Sequence, residues 1–270
     1  MLLFMYQPGI DLIVVNYKTP DDLVAFCESY IENFPTVEST LYIVCNDVTD
    51  ADTAAVQAIL PDIPGTVLFF PFEENLYYSG AANVVGGIAT RETLAILNAD
   101  TRFLPGTIDT CYQALKDNPT WATVGPLQFD EFNKVTHGGI FGTQEAPKHR
   151  GWHRKMGDEY RDINENAVTV SGSAYFVNRA VWDELTNCEV YRDLYPKVQG
   201  PFLPTTHYYE ETWFSYHALA HGYKNVYLGS AEMIHRWHKA SEKGGWADQQ
   251  MNPSRKMFRE MCDHHGIPRD

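Results

Sequence analysis

The first hundred residues alternate between short apolar runs and longer stretches in which apolar positions recur with helical spacing. The runs have strand length and lie at 10–15, 41–45, 67–70 and 94–97. The stretches with helical spacing lie at 20–34, 50–60 and 78–89. Strand and helix therefore alternate three times with short connections, a pattern that predicts a parallel sheet with helices packed against it.

After Asp100 the order of the elements changes. The pattern predicts helices at 105–118, 208–221 and 246–265, the last with an alternative break at Pro253, and strand-like pieces within 122–140 and at 168–177, 226–228 and 231–234. Residues 143–166 are polar, aromatic and basic without periodicity, which predicts a long loop. Such a loop is either a solvated connection or a lid over a diphosphate, in which Arg150 or Arg154 pairs with phosphate oxygens.

The bulk properties limit the classes of function. The chain has 270 residues, 44% of them apolar, and a formal net charge of −14. This charge disfavours binding to nucleic acid or to an anionic membrane surface, but it allows an acidic site that recruits a divalent cation. The longest apolar stretches have strand length, so we expect no integral membrane segment. The five cysteines include no CxxC pair, which predicts reduced thiols in a cytoplasmic protein, with peripheral membrane association left open.

The most informative stretch runs from Leu94 to Thr101, where an apolar strand ends in Asn98, Ala99 and Asp100. In an open α/β sheet, ligands bind at the carboxyl edge of the strands, and the Asp100 carboxylate emerges at that edge. A carboxylate beside an amide offers hard oxygen ligands, which suit Mg²⁺ or Mn²⁺ carrying a diphosphate. The competing interpretation is a simple turn, because Asn and Asp are common turn residues.

Seven short motifs follow one another along the chain. They comprise a strand end, a polar loop, an Asn- and Gly-containing helix start, a Leu-Asn-x-Asp stretch, a Gly-containing strand, a pair of acids and a Gly-Tyr turn. The motifs lie at 15–20, 45–50, 74–83, 97–101, 171–174, 209–213 and 220–224, with His235 and Ser241 beyond them. In this order they resemble the motifs of family 2 glycosyltransferases, especially the rhamnosyltransferase-like branch, over 10–241. Each motif is weak alone, and their common order is the evidence.

This resemblance implies a GT-A fold, a Rossmann-like α/β sheet that is mostly parallel, with a small antiparallel acceptor-side part and helices on both faces. It implies one domain over 1–270, with a nucleotide-sugar-binding half at 10–101, an acceptor half at 102–245 and a C-terminal helix at 246–270. The donor-binding residues that it implies are Asn16, Tyr17, Cys45, Asn46, Asn75, Gly80, Asn83, Asn98 and Asp100.

The resemblance also assigns the chemistry. Asp100 and His235 would bind Mn²⁺ or Mg²⁺, with His238 as the competitor of His235, and the metal would stabilise the leaving nucleoside diphosphate. Glu211 occupies the position of a catalytic base, which takes a proton from an acceptor hydroxyl as that oxygen attacks with inversion. Glu210 would support this region or share the role. The residues implied on the acceptor side are Gly172, Ser173 and Trp213.

Four positions depart from the family pattern, and one of them is Glu211, whose side chain is one methylene longer than the Asp of the family. Cys45 stands where an Asp often contacts a uracil ring, and Asn98 replaces the first Asp of the DxD motif, which leaves one firm carboxylate. Trp213 replaces the second Asp of a Glu-Asp-x-Asp motif, where it either stacks on a sugar or packs in the core. The sequence leaves open a UDP, dTDP or GDP donor and a glycan, lipid-linked, protein or small-molecule acceptor.

Two other functions fit part of the pattern. A sugar-phosphate nucleotidyltransferase also uses an α/β sheet and a carboxylate-bound metal, but its first loop is Gly-rich, unlike 16–20 here. A non-catalytic relative that binds nucleotide-sugars or glycans is consistent with Asn98 and Trp213. Glu210 and Glu211 have a simpler alternative as well, because acids at a helix start interact favourably with the helix dipole.

Overall fold

The computed structural model describes residues 6–143, 147–161, 163–236 and 246–268. The strands are β1 (Gln7–Asn16), β2 (Ser39–Cys45), β3 (Thr66–Pro71), β4 (Arg91–Asn98), β5 (Thr101–Phe103), β6 (Trp121–Phe129), β7 (Val135–His137), β8 (Ile140–Gly142), β9 (Pro147–His149), β10 (Asn164–Ala167), β11 (Ala174–Asn178) and β12 (Lys224–His235). The helices are α1 (Pro20–Glu32), α2 (Asp50–Ile59), α3 (Tyr77–Ile88), α4 (Thr107–Asp117), α5 (Arg179–Thr186), α6 (Glu189–Leu194), α7 (Glu210–Ala220) and α8 (Trp246–His265).

One large sheet runs through the molecule in the order β10-β12-β6-β11-β4-β1-β2-β3, with β5 paired to β12 and β7 paired to β6. Strands β4, β1, β2 and β3 are parallel to one another, and β12 is parallel to β6. Strand β11 lies antiparallel between β4 and β6. The sheet is therefore mostly parallel with a smaller antiparallel part, which confirms the predicted fold class.

Successive side chains of a buried strand point to opposite faces of the sheet. Because the strands carry apolar side chains on both faces, helices pack against both faces. Leu12 and Val14 of β1 belong to one apolar core, together with Phe26 of α1. Ile13 belongs to the other core, together with Trp182 of α5. These two-sided strands explain why the apolar runs of the sequence are continuous rather than alternating.

A third apolar core joins the C-terminal helix to the rest of the molecule. Phe258 and Met261 of α8 pack in a cluster with Trp213 of α7 and Tyr191 of α6. Pro253 lies inside α8, and the helix continues through it, so the alternative of a break at this residue is wrong. Burial of the turns after Pro253 stabilises the helix across the backbone hydrogen bond that a proline removes.

Three other expectations change in detail. The two short strands expected at 226–228 and 231–234 form one strand, β12, and the interruption is a register shift between Leu228 and Glu232 opposite β6. The segment 143–166 contains β9, β10 and a 3₁₀ turn at Asp158–Tyr160 among its described residues, so it is not a continuous loop. Helices α5 and α6 were not predicted. In the described part of the chain, no helix has both the length and the apolar character needed to cross a membrane.

Candidate active site

A cavity of about 280 Å³ opens where the parallel strands end. Its wall is built from the residues that follow β1, β2 and β4, the end of β12, the turn before β11 and the segments that lead into α3 and α7. The sequence-predicted residues that line it are Tyr17, Asn46, Asn75, Asn98, Asp100, Gly172, Ser173, Glu210, Glu211 and His235. The cavity thus lies at the edge where ligands bind in open α/β sheets.

Asp100 and His235 face each other in this cavity. The pairing of β5 with β12 sets Thr101 opposite His235, and the Arg236 amide donates to the Asp100 carbonyl at 3.0 Å. As a result, Asp100 Oδ1 lies 3.5 Å from His235 Nε2. Among the described residues no donor forms a hydrogen bond with this oxygen, although the Asp100 side chain is only 13% exposed. His238 and Ser241 lie outside the described residues.

The electrostatics of Asp100 favour a bound cation. Burial by itself raises the pKa of this carboxyl, but His235 and Arg102 outweigh it, so the net pKa lies below the ordinary value. Asp100 is therefore ionised at neutral pH. A buried carboxylate oxygen without a donor, set beside an imidazole, fits the mixed oxygen and nitrogen ligands of Mn²⁺.

Glu210 and Glu211 are the first two residues of α7, and both line the cavity. Glu210 is 6% exposed, and its Oε2 accepts a hydrogen bond from Thr205 Oγ1 at 2.9 Å. Burial raises the pKa of both carboxyls, and the charge of Glu211 raises that of Glu210 further. This acid pair therefore holds a proton acceptor whose affinity for protons is stronger than that of an ordinary glutamate.

The turn before β11 packs closely against Glu211. A Cβ atom added to Gly172 would lie 3.1 Å from the Glu211 Cδ, and the Tyr78 hydroxyl donates to the Gly172 carbonyl. Ser173 donates through its hydroxyl to Gln128 Oε1 at 2.6 Å, which fixes the same turn to β6. Glycine at 172 therefore leaves room for the Glu211 side chain beside the cavity.

Strained backbone is concentrated around this cavity. Tyr77, the first residue of α3, has a φ of 57°. Tyr208 and Tyr209, directly before α7, have φ values of 66° and 71°. Lys18 and Asp47, in the loops after β1 and β2, also have positive φ. Such conformations are uncommon for residues other than glycine, and they cluster at functional sites.

Where β2 ends, the cavity wall is polar and is held in place by Asn46. The Asn46 Oδ1 accepts from the Leu76 amide at 3.3 Å, and its Nδ2 donates to the Tyr77 carbonyl at 3.1 Å. Asn75 Oδ1 accepts from the Tyr77 amide at 2.8 Å. These bonds join the end of β2 to the start of α3, with the Tyr17 ring on the same wall.

Two residues that were predicted to bind the nucleotide-sugar donor lie next to the cavity-lining loops and support them. The Asn16 side chain donates to Asp52 Oδ1 at 2.8 Å and accepts from Thr19 Oγ1 at 2.8 Å. Cys45 is fully buried and lies 3.6 Å from the Asn16 Nδ2. Neither residue is among those that line the cavity.

Three further predicted residues lie elsewhere. Asn83 is buried in α3, where it donates to the Phe202 carbonyl at 2.8 Å and accepts from the Phe202 amide at 3.0 Å. Trp213 is fully buried and stacks with Tyr191 at a ring distance of 6.3 Å, which is the packing alternative and not sugar stacking. Gly80 lies in the first turns of α3, outside the residues that line the cavity.

Other cavity residues were not selected from the sequence. They include Thr19, Tyr78, Ser171, Thr206, His207 and Tyr208. Burial lowers the pKa of His207 to about 4, so its imidazole is neutral at physiological pH. The sequence carries one signal for this segment, the aromatic run 207–209 directly before a pair of acids. This segment lies in the cavity wall because of a tertiary contact that the sequence does not show. Ser79 at the start of α3 donates a hydrogen bond to the Thr205 carbonyl before α7.

Comparisons with solved structures show the same architecture. A crystal structure of GalNAc-T7 with UDP, GalNAc and Mn²⁺ superposes with a TM-score of 0.65 at 13% identity, covering 84% of this chain and 43% of that chain. The mannosyltransferase PcManGT from Pyrobaculum calidifontis, in complex with GDP-Man and Mn²⁺, has a TM-score of 0.61 at 16% identity over 88% of this chain and 59% of that chain. The chain has a GT-A fold.

A third structure, residues 1–349 of S. aureus TarS, has a TM-score of 0.56 at 13% identity over 84% of this chain and 60% of that chain. The chain therefore spans between 43% and 60% of the length of these similar structures. Neither protein-family models nor curated protein sequences gave a match. At these identities the likeness shows the fold alone, and the activity must be argued from the site.

Proposed function

We propose that this protein is a metal-dependent, inverting glycosyltransferase that moves a sugar from a nucleoside-diphosphate sugar to an acceptor hydroxyl. The observation that carries the proposal is one cavity that contains both the Asp100–His235 pair and the acid pair Glu210–Glu211. A cation site and a proton acceptor are the two functions that such a transfer requires. The GT-A fold supports it, as do the UDP and Mn²⁺ bound to GalNAc-T7 and the GDP-Man and Mn²⁺ bound to PcManGT.

The polar end of the cavity suits the nucleoside. Tyr17 offers a ring for stacking on a base, and Asn46 and Asn75 hold the neighbouring backbone in place. The diphosphate would then extend toward Asp100, and the sugar toward Gly172 and the acid pair. This order follows the cavity from the end of β2, past the end of β4, to the start of α7.

Asp100 and His235 are the residues that would hold Mn²⁺. When bound, the ion supplies positive charge to the departing diphosphate. The unsatisfied Asp100 Oδ1 and the depressed pKa of its carboxyl both favour this role. Asn98, which lines the same wall, offers an amide oxygen in place of the first carboxylate of a DxD motif.

Glu211 is the residue that we assign as the base. Its carboxylate takes the proton of the acceptor hydroxyl while that oxygen attacks the anomeric carbon from the face opposite the diphosphate. The bond between the anomeric carbon and the diphosphate oxygen breaks, and the electron pair leaves with the nucleoside diphosphate. Glu210 is a positioning residue, because its Oε2 is held by Thr205 at 2.9 Å.

The test is release of nucleoside diphosphate from UDP-, dTDP- and GDP-sugars in the presence of Mn²⁺, with and without candidate acceptors. We expect release from one class of donor, and strong loss of release in Glu211→Gln. Glu28→Gln is the matched control, because Glu28 is an exposed residue of α1 far from the cavity.

Two results would contradict the proposal. Tight donor binding with neither transfer nor hydrolysis, across the donors, would favour a binding protein. Formation of pyrophosphate from a nucleoside triphosphate and a sugar phosphate would favour a nucleotidyltransferase instead.

A further inference from the structure

A second cluster of metal-ligating side chains lies outside the cavity. Cys188 precedes α6, His217 lies in α7 and His265 ends α8, so three separate elements contribute. Their potential ligand atoms all lie within 4.8 Å of one another. None of the three lines the cavity described above.

His217 is the central member of this cluster, and it is only 1% exposed. Neither ring nitrogen of His217 forms a hydrogen bond within the described part of the chain, and the same holds for His265 Nε2. The neighbours of the His217 imidazole are other rings. The Trp213 and His265 ring centroids each lie 4.7 Å from that of His217. Buried polar atoms are nearly always satisfied in native proteins, so an imidazole without partners calls for a ligand.

We propose that Cys188, His217 and His265 bind one Zn²⁺ ion, with water in the fourth position. A thiolate and two imidazoles form a ligand set that suits zinc and disfavours the hard cations Mn²⁺ and Mg²⁺. This site is therefore chemically distinct from the Asp100–His235 pair.

The protonation state of the cluster agrees with this assignment. Burial, together with the neighbouring His265 and His221, lowers the pKa of His217 to about 3. Burial likewise lowers the pKa of His265. Both imidazoles are therefore neutral at physiological pH, the form in which a ring nitrogen can donate its lone pair to a metal.

The geometry needs only a small contraction to bind the ion. Tetrahedral zinc bonds of about 2.3 Å to sulfur and about 2.1 Å to nitrogen place the ligand atoms roughly 3.3–3.6 Å apart. The ligand atoms in the cluster all lie within 4.8 Å of one another. His217 lies inside α7, whereas His265 ends α8 and Cys188 precedes α6, so these two side chains can adjust toward it.

A zinc ion at this site would attach the C-terminal helix α8 to α7. Arg255 of α8 donates to the Tyr209 hydroxyl at 2.7 Å, and Phe258 packs against the Tyr209 ring at 5.5 Å. Tyr209 directly precedes Glu210 and Glu211. Zinc at the other end of α7 would therefore hold α8 against the helix that carries the acid pair.

The experiment is a titration of the full chain, stripped of metal under reducing conditions, with Co²⁺ and then Zn²⁺. We expect one Co²⁺ per chain with a thiolate-to-cobalt charge-transfer band, displaced by Zn²⁺, and a Zn²⁺-dependent rise in melting temperature. Cys188→Ser should abolish the band and weaken Zn²⁺ binding by roughly 100-fold or more, since even the loss of an outer-shell partner costs about 10–100-fold. Cys111→Ala, at a buried cysteine of α4, is the matched control that should keep the band.

Absence of the charge-transfer band in the wild type would overturn the proposal, as would its persistence in Cys188→Ser. An Asp100→Asn background should leave the band unchanged, which separates this site from the cavity. Should Cys188→Ser fail to fold, the wild type still decides the question through alkylation of Cys188, mapped by peptide. Zn²⁺ must slow this reaction strongly, and equal rates with and without Zn²⁺ would refute the site.

Discussion

At the scale of single residues, the cavity separates two kinds of carboxylate by their surroundings. Asp100 faces an imidazole and a guanidinium, so the pKa of its carboxyl is lowered despite burial. No cationic side chain among the described residues offsets the burial of Glu210 and Glu211. Burial therefore raises the pKa of both carboxyls. Such opposed environments assign the first group to cation binding and the second to proton transfer.

The base is tested by Glu211→Gln. We expect kcat to fall by about 10²–10⁴-fold, because the amide keeps the shape of the side chain but cannot take the acceptor proton. The KM for the donor should change little, since Glu211 contacts the acceptor side of the cavity. Steady-state kinetics with Glu28→Gln in parallel provide the measurement, and near-normal kcat in Glu211→Gln would transfer the role to another residue.

The pH dependence follows from the same raised pKa. Activity requires deprotonated Glu211, so kcat/KM should rise with pH along a limb that lies above the value of about 4.3 of an ordinary glutamate. A pH profile measured from 5 to 9 in wild type and Glu211→Gln tests this, and the limb should be lost in the variant. A flat profile in the wild type would argue against a buried carboxylate as base.

Stability should depend on pH in the opposite direction. A carboxyl whose pKa is raised by folding contributes most below its unfolded pKa, and this contribution is lost as pH rises through the folded pKa. Glu211→Gln should therefore be more stable than the wild type at pH 8, by about 1–3 kcal/mol, with a smaller difference at pH 5. Denaturant unfolding at both pH values gives the comparison.

At the scale of elements, the site is held by contacts between segments far apart in the chain. Asn83 of α3 bonds both backbone groups of Phe202, and Ser79 donates to the Thr205 carbonyl at 2.9 Å. These bonds fix the segment that carries Thr206 to Tyr208 into the cavity wall. We therefore propose that Asn83 positions this segment, although the sequence motif implies a contact with the donor.

Asn83→Ala tests this placement. Loss of two buried hydrogen bonds should destabilise the protein by about 1–3 kcal/mol, because the Phe202 amide loses its side-chain acceptor and the Phe202 carbonyl keeps only the Tyr191 hydroxyl. Donor affinity at a temperature where the variant is folded should fall only modestly. Calorimetric donor titration and denaturant unfolding separate the two effects, and a large loss of affinity with full stability would return Asn83 to the donor site.

The elements of the first half could be predicted from the sequence because they are determined locally. Continuous apolar runs bounded by helix-start and turn residues define β1 to β4, and the end of β4 already places Asp100 at the carboxyl edge of the sheet. The antiparallel insertion of β11 between β4 and β6 could not be predicted, because strand order depends on long-range pairing. Trp213 illustrates the same limit, since its sequence position fits a sugar platform and only its packing against Tyr191 shows a core residue.

At the scale of the whole molecule, the sheet joins the two halves through β4, which pairs with β1 on one side and with β11 on the other. Both large apolar cores contain residues from each half, such as Leu12 with Phe176 and Ile13 with Trp182. We therefore propose that the halves fold together as one domain.

This proposal predicts one cooperative unfolding transition. All six tryptophans follow residue 120, so their fluorescence reports on the second half, whereas far-UV circular dichroism reports on both. Thermal curves from the two probes should coincide, as expected for a two-state domain. A circular-dichroism transition without a matching change in fluorescence would show that the first half unfolds independently.

The cavity is proposed to join a divalent cation, held by Asp100 and His235, to a nucleoside diphosphate. The most direct measurement is isothermal titration of UDP, dTDP and GDP into the protein, with and without Mn²⁺, in wild type and Asp100→Asn. We expect Mn²⁺-dependent binding of one nucleotide to the wild type, and loss of the Mn²⁺ dependence in a folded Asp100→Asn variant. Binding that ignores Mn²⁺, or that survives unchanged in Asp100→Asn, would contradict it.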